Sequence, residues 1–362
     1  MVPLLEEDPR AGGLLADGRR SGRIVEAARA EIASWCGGRP EEIVFTSSGT
    51  EACNLAIKGI AFASHRTGGG IAHASTEHSA VLYPCRTLSK MGFERIEIPV
   101  DPHGTLRLDR LEACLDGDVL LVSVALATPE VGTIQPIAEI ARIVHRRGSL
   151  LHVDACLAAS RIPVRVEDLE ADLVSFSSHK IRGPRGVGAL YVRDGVRLVP
   201  LIEGGLSEGG RRGGAEYVAG IAGFAEAVRL EREERTEIEG RLRRLGDLLA
   251  EGLLAVPDVA LNGHPERRVA GLVNVSVKGI DGESLLLALA RRGIAASSGS
   301  SCFDRAGLPS HVLTAMGAPP ERARGSVLFA AGPDTSEADI ERVLLQFEDA
   351  VASLRAVSAD PG

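Results

Sequence analysis

The chain has 362 residues, of which 44% are apolar and 3% aromatic, and its formal net charge is −8. That length suits one large domain plus a smaller one with a sizeable core. So few rings and no basic stripe exclude base-stacking and polyanion-binding surfaces, so no nucleic-acid partner is expected.

The opening MVPLLEEDPR has neither the basic start nor the apolar core of a secretory signal. No stretch reaches the roughly 18 uncharged apolar residues of a membrane helix. The composition reads as a soluble cytoplasmic protein without a membrane partner. Cys36, Cys53, Cys85, Cys114, Cys156 and Cys302 are scattered with no CxxC pair. Neither a zinc ribbon nor a disulfide framework follows, and no metal is expected. Five of the six read as small packing residues.

From about residue 24 to 195, short apolar runs alternate with helical patterns. EIVFTSS (42–48), GIAHAS (70–75), FERIEIPV (93–100), VLLVSVAL (119–126), LLHVDAC (150–156), LVSFSS (173–178) and VGALYV (187–192) read as strands. Most are continuous rather than alternating, as in a parallel sheet covered on both faces. The stretches between them, such as TEACNLAIKGIAFA, are helical, which makes a doubly wound α/β domain. EGGLSEGGRRGG (203–214) is either a disordered loop or a lid across a dimer. A long charged amphipathic helix follows from about 221 to 255, its charges a solvated face. Beyond it, GLVNVSV, ESLLLALARRG, the loop SSGSSCFDRAGLPS, SVLFAA and a last helix from about 336 form a smaller α+β domain. The expected division is an N-terminal segment (1–20), a large domain with its linker helix (21–255), and a small C-terminal domain carrying the Cys302 loop (256–362).

Ligands of open α/β sheets bind at the carboxyl ends of the strands. Here those ends carry Gly49 and Thr50 opening a helix; Thr76, Glu77 and His78; Asp154; and Ser177, Ser178, His179 and Lys180. A helix start offers N–H groups to a phosphate, and Ser177 and His179 add donors. Lys180, once deprotonated, can condense with an aldehyde. Asp154 can pair with a protonated ring nitrogen, and His78 can stack on an aromatic ring. Singly, each has a plain structural use, as a cap, a turn residue or a hydrogen-bonded histidine. Together they match the phosphate, aldehyde and pyridinium nitrogen of pyridoxal 5′-phosphate.

EEIVFTSSGTEACNLAIKG, STEHSAVLYPC, VGTIQPIAEIA, LHVDA, SFSSHKIRGPRGVGALYV, LNGHPERR and SSGSSC closely resemble the cysteine desulfurases (NifS/IscS-like) of the class V aminotransferase group, from about residue 20 to 350. The resemblance implies a fold-type I pyridoxal-phosphate enzyme with a mostly parallel seven-stranded sheet and a smaller α+β domain. It assigns Lys180 to the cofactor aldehyde, Asp154 to the pyridine nitrogen and His78 to the ring. Gly49, Thr50, Ser177 and His179 fall to the phosphate. It also implies a homodimer with active sites at the subunit boundary, an amino-acid substrate, and a persulfide on Cys302, from which an acceptor, protein or metabolite, takes the sulfur. Lys180 would then move the Cα proton, and His78 would relay protons.

The chain departs from the family at several positions. Leu328 stands where an arginine normally grips the substrate carboxylate, and losing such a charged partner commonly costs about 1.5–3 kcal/mol. Thr128 and Pro129 replace paired asparagines, Leu157 a glutamine that bonds the phenolic oxygen, and Ala215 a threonine that reaches the neighbouring subunit's phosphate. Arg182, Arg212 and Arg324 are candidates to replace the clamp. The main reading is a desulfurase acting on L-cysteine or a cysteine derivative and releasing alanine or its analogue. The alternatives are a C–S lyase, epimerase or aminotransferase of the same fold, or a scaffold without catalysis.

Overall fold

The structure, a computed structural model, describes residues 1, 4, 16–64, 68–115, 117–299 and 309–359. Its first element, α1 (Ala16–Cys36), precedes seven strands that share one sheet. These are β1 (Ile43–Thr46), β2 (Gly70–Ala74), β3 (Glu94–Ile98), β4 (Val119–Ala125), β5 (Leu150–Asp154), β6 (Leu173–Ser177) and β7 (Gly188–Val192), in the order β1-β7-β6-β5-β4-β2-β3. All seven runs read from the sequence are present, each trimmed at one end or both. β7 is antiparallel to both β1 and β6, while the remaining pairs are parallel. Six strands therefore point the same way, and their carboxyl ends fall along one edge of the sheet.

Register explains how one face of this sheet serves two purposes. Val44, Ile71, Leu121, Leu173 and Leu190 pack under α2 (Gly49–Ala63) and α3 (Ser79–Ser89), together with Leu55, Ile57 and Val81. Side chains two residues on share that face. Toward the carboxyl end these are Thr46, His73, Ser123, His152, Asp154, Ser175 and Ser177, all buried. The face is thus apolar beneath the helices and polar toward the strand ends. His152 is fully buried at its centre, with Nδ1 2.8 Å from Ser123 Oγ and Nε2 2.8 Å from Ser175 Oγ. Two hydroxyls can each donate or accept, so they suit a neutral ring. Burial pushes its pKa down to about 4.

The segment 203–214 is tied down within the chain, which removes the disordered alternative. Glu208, buried, receives Arg29 Nη1 at 2.7 Å and Nη2 at 2.9 Å, and its Oε2 also accepts the Phe45 N–H at 2.7 Å. Arg29 Nη1 donates in turn to the Ile43 carbonyl at 2.8 Å. A glycine-rich run reads as loose, but one buried bidentate pair pins it to β1.

Contacts divide the chain into two compact units: Met1–Ile98, Leu108–Leu126 and Pro136–Arg235; and Pro99–Arg107, Ala127–Gln135 and Thr236–Gly362. The sequence reading draws its boundary at 255–256, whereas this division falls at 235–236, within the helix Val218–Ala255. Segment 127–135 joins the second unit through long-range pairings that no periodicity displays, a bridge from Thr133 to Arg268 and a bond from Asn274 Nδ2 to the Glu130 carbonyl. That unit holds the antiparallel sheet β10-β9-β8, formed by β8 (Val259–Asn262), β9 (Leu272–Val277) and β10 (Ser326–Ala330). Its core gathers Val275, Leu285, Leu289, Val327 and Phe347.

Two outcomes follow for stability. Glu208→Gln leaves the buried Arg29 charge with only the exposed Glu26 carboxylate, 3.1 Å from its Nε, and lowers unfolding stability by about 3 kcal/mol in urea melts; proteolysis at 203–214 then accelerates. For His152, the folded pKa lies below the ordinary 6.5, so the unfolded chain binds the extra proton. Its contribution is complete above pH 6.5 and lost as the pH falls toward 4, roughly 3 kcal/mol in all. His152→Gln flattens the pH dependence of stability by that amount.

Candidate active site

Four strand ends of the first unit build the site. After β1, Thr46 Oγ1 donates to the Ser48 carbonyl at 2.9 Å, and Ser48 caps α2 by accepting the Glu51 N–H at 3.1 Å. Glu51 reaches back to the Ser47 N–H at 2.7 Å. The next N–H groups, on Gly49 and Thr50, open the helix and have no carbonyl one turn earlier to receive them. They lie at the positive end of a 15-residue helix, the arrangement that holds anions.

Glycine makes this approach possible. A Cβ on Gly188 would lie 2.6 Å from the Ser48 carbonyl carbon and 2.9 Å from the Gly49 nitrogen. A Cβ on Gly49 would lie 2.4 Å from Cys156 Sγ and 3.0 Å from Ser177 Cβ. β7 therefore passes directly beneath the helix start, and Ser177, its register partner on β6, sits beside Gly49. After β6 the chain turns through Ser178–Ile181, where Ser177 Oγ lies 3.1 Å from His179 Nδ1. His179 and Lys180 are exposed. The His179 pKa is lowered by burial, then by the charges of Lys180 and Arg185.

After β5, the Cys156 N–H donates to Asp154 Oδ1 at 3.0 Å and fixes that carboxylate. After β2, His78 caps α3, its Nδ1 accepting the Ala80 N–H at 3.0 Å. The neutral ring therefore carries its proton on Nε2. Burial lowers the His78 pKa; Asp154 opposes the shift and Lys180 adds to it, so the three groups from β2, β5 and β6 share one field. The structure thus brings Gly49, Thr50, His78, Asp154, Ser177, His179 and Lys180 to one edge of the sheet.

Sequence reasoning missed the weight of Glu77. It is fully buried, accepts the Ala125 N–H at 2.7 Å, and its carboxyl is pushed well above the usual range by burial and by the like charge of Asp154. Cys53 and Cys156, read as packing residues, flank Asp154. No spacing rule links residues on a helix and at a strand end, so only register reveals them. Among the proposed clamp residues, Arg182 pairs with Glu234 at 2.6 Å and Arg212 with Glu51 at 3.1 Å. In the second unit, Thr128 Oγ1 accepts from Gln135 at 3.4 Å, and Leu328 is exchanged in backbone bonds with Ser297. Cys302 lies outside the described residues.

The class-V aminotransferase model matches residues 13–343. Cysteine desulfurase IscS of Methanosarcina thermophila is 43% identical over 359 residues, 99% of this chain and 89% of that protein. Cysteine desulfurase IscS 1 of Archaeoglobus fulgidus is 43% identical over 341 residues, 94% of this chain and 89% of that one. Among solved structures, a NifS-like protein superposes with a TM-score of 0.91 at 33% identity, covering 97% of this chain and 94% of its own. The chain belongs to the class-V aminotransferase family, in its NifS/IscS-like cysteine desulfurase group, and is with that family a pyridoxal-phosphate-dependent enzyme.

Proposed function

We propose that this enzyme removes sulfur from L-cysteine or a cysteine derivative, passes it to the Cys302 thiol as a persulfide, and releases alanine or the corresponding analogue. The supporting observation is the convergence of an anion-binding helix start, a fixed carboxylate, a neutral imidazole and an exposed lysine at one sheet edge. These groups fit pyridoxal phosphate. Gly49, Thr50, Ser177 and His179 would hold its phosphate in a cradle that a Cβ at Gly49 or Gly188 would fill. Asp154 would hold the ring nitrogen protonated, His78 would lie against the ring, and Lys180 would meet the aldehyde.

When bound, the cofactor supplies an electron sink for the pair left at the substrate's α-carbon. Lys180, on the turn after β6, moves the proton at that carbon. His78 carries its own proton on Nε2 and passes it where the sulfur departs. The Cys302 thiolate attacks the substrate Sγ; the C–S bond breaks, an S–S bond forms, and a proton replaces sulfur on the substrate's β-carbon. L-cysteine and a thiol thus become alanine and a persulfide, with atoms and electrons balanced. A thiol acceptor, protein or metabolite, then takes the outer sulfur.

The reading includes a homodimer in the cytoplasm. No described helix is long and apolar enough to cross a membrane. Leu328, Thr128 and Leu157 favour one further possibility, a lyase, epimerase or aminotransferase on a different amino acid, because each removes a polar contact to substrate or cofactor.

Cys302→Ala separates the two. In the desulfurase, sulfide release with L-cysteine and a reductant falls to background while the cofactor's absorbance is retained; Lys180→Ala loses both the reaction and the lysine-bound spectrum. Alanine formation undiminished in Cys302→Ala would overturn sulfur transfer through that thiol. A second outcome concerns substrate. With leucine at 328, kcat/KM for free L-cysteine is low, and Leu328→Arg raises it about tenfold or more, the value of one charged hydrogen bond.

A further inference from the structure

Two thiols beside the site have no part in this chemistry. Cys53 lies one turn into α2 and is fully buried; Cys156 lies two residues beyond Asp154 and is half-buried. Cys53 Sγ, Cys156 Sγ and a carboxylate oxygen of Asp154 all fall within 4.8 Å of one another. Among the described residues, this is the one such grouping of histidine, cysteine and acidic side chains. The atoms are held from three directions. α2 carries Cys53, the Cys156 N–H bonds Asp154 Oδ1, and Cys156 Sγ sits 3.7 Å from the Ser175 carbonyl.

A redox role suits this pair poorly. Reaction with peroxides needs a thiolate, and both thiols are pushed up, Cys156 well above its ordinary value. A soft cation acts differently, because it displaces the two protons itself and leaves two thiolates and a carboxylate around a double positive charge. Zinc–thiolate bonds of about 2.3 Å place tetrahedral donor atoms roughly 3.5–4 Å apart. The three atoms therefore need to close by at most roughly 0.8–1.3 Å to reach a ligating arrangement.

We propose that Cys53, Asp154 and Cys156 bind a thiophilic divalent cation of the zinc and cadmium class, with water completing the coordination on the exposed side of Cys156. The site shares Asp154 with the group that the preceding reading assigns to the cofactor's ring nitrogen. Resting on that reading, cation and cofactor exclude one another, and a metal-loaded chain is an enzyme held in its apo state.

The test uses full-length Cys302→Ala protein, which lacks the thiol assigned to sulfur transfer, in a non-thiol reductant. Cadmium is titrated in with and without pyridoxal phosphate, and followed by equilibrium dialysis and the ultraviolet thiolate-to-metal band. One cadmium binds per chain, and the band is lost in Cys53→Ser and in Cys156→Ser. Asp154→Asn, which keeps both thiols, weakens binding tenfold or more. Circular dichroism confirms that each variant is folded. With cadmium at about ten times its own Kd, the apparent Kd for the cofactor rises about tenfold, as simple competition requires. A band unchanged in folded Cys156→Ser, or cadmium and cofactor bound together at full affinity, overturns the proposal. A chain that takes up the cofactor but shows no such cadmium site also overturns it, and leaves the desulfurase reading intact. A chain that binds cadmium in this way but never takes up the cofactor supports the cation site and counts against the desulfurase reading.

Discussion

The start of α2 lies against β7 with no side chain between them. Gly188 runs beneath the Ser48–Gly49 peptide so closely that a single methyl would meet backbone atoms at 2.6–2.9 Å. Backbone cannot swing aside as a side chain can, so this contact sets where the helix begins and where its first N–H groups point. Ser177 inherits its place from the same contact, being the register partner of Gly188. The positive end of the helix, the hydroxyl of Ser177 and the turn that carries Lys180 are thus brought together by one close approach.

The second organising feature is the change of character along one sheet face. Beneath α2 it is leucine, isoleucine and valine; toward the strand ends it is hydroxyl, imidazole and carboxylate. Polar groups in such a place must be paired, because an unpaired buried one costs free energy comparable to a lost hydrogen bond. His152 meets that requirement as a neutral ring between two serines, and Asp154 through the Cys156 N–H. Burial pushes the pKa of His152 and of His78 down and that of Glu77 up, each toward its neutral form.

The seven strands were legible because a parallel strand buried on both faces is a short apolar run, and each run ended in residues with no place in a core. The candidate site residues could be picked out for the same reason: Asp154, Ser177, His179 and Lys180 stand where apolar runs stop, and His78 and Thr50 where helices start. The binding of 203–214 was not, since nothing near Glu208 announces that Arg29, 179 residues away along the chain, lies opposite. Nor was the membership of 127–135 in the second unit, which rests on pairings with Arg268 and Asn274.

By itself, then, the order of residues determined the elements, the strand ends where polar residues gather and the family to which they correspond, because periodicity, caps and breakers are local properties. Tertiary structure alone decided which strand ends are neighbours, that Gly49 and Gly188 are glycines for lack of room, and that Cys53 and Cys156 flank Asp154. Those facts depend on sheet register and on helix-to-sheet approach, which arise only when distant segments pack together.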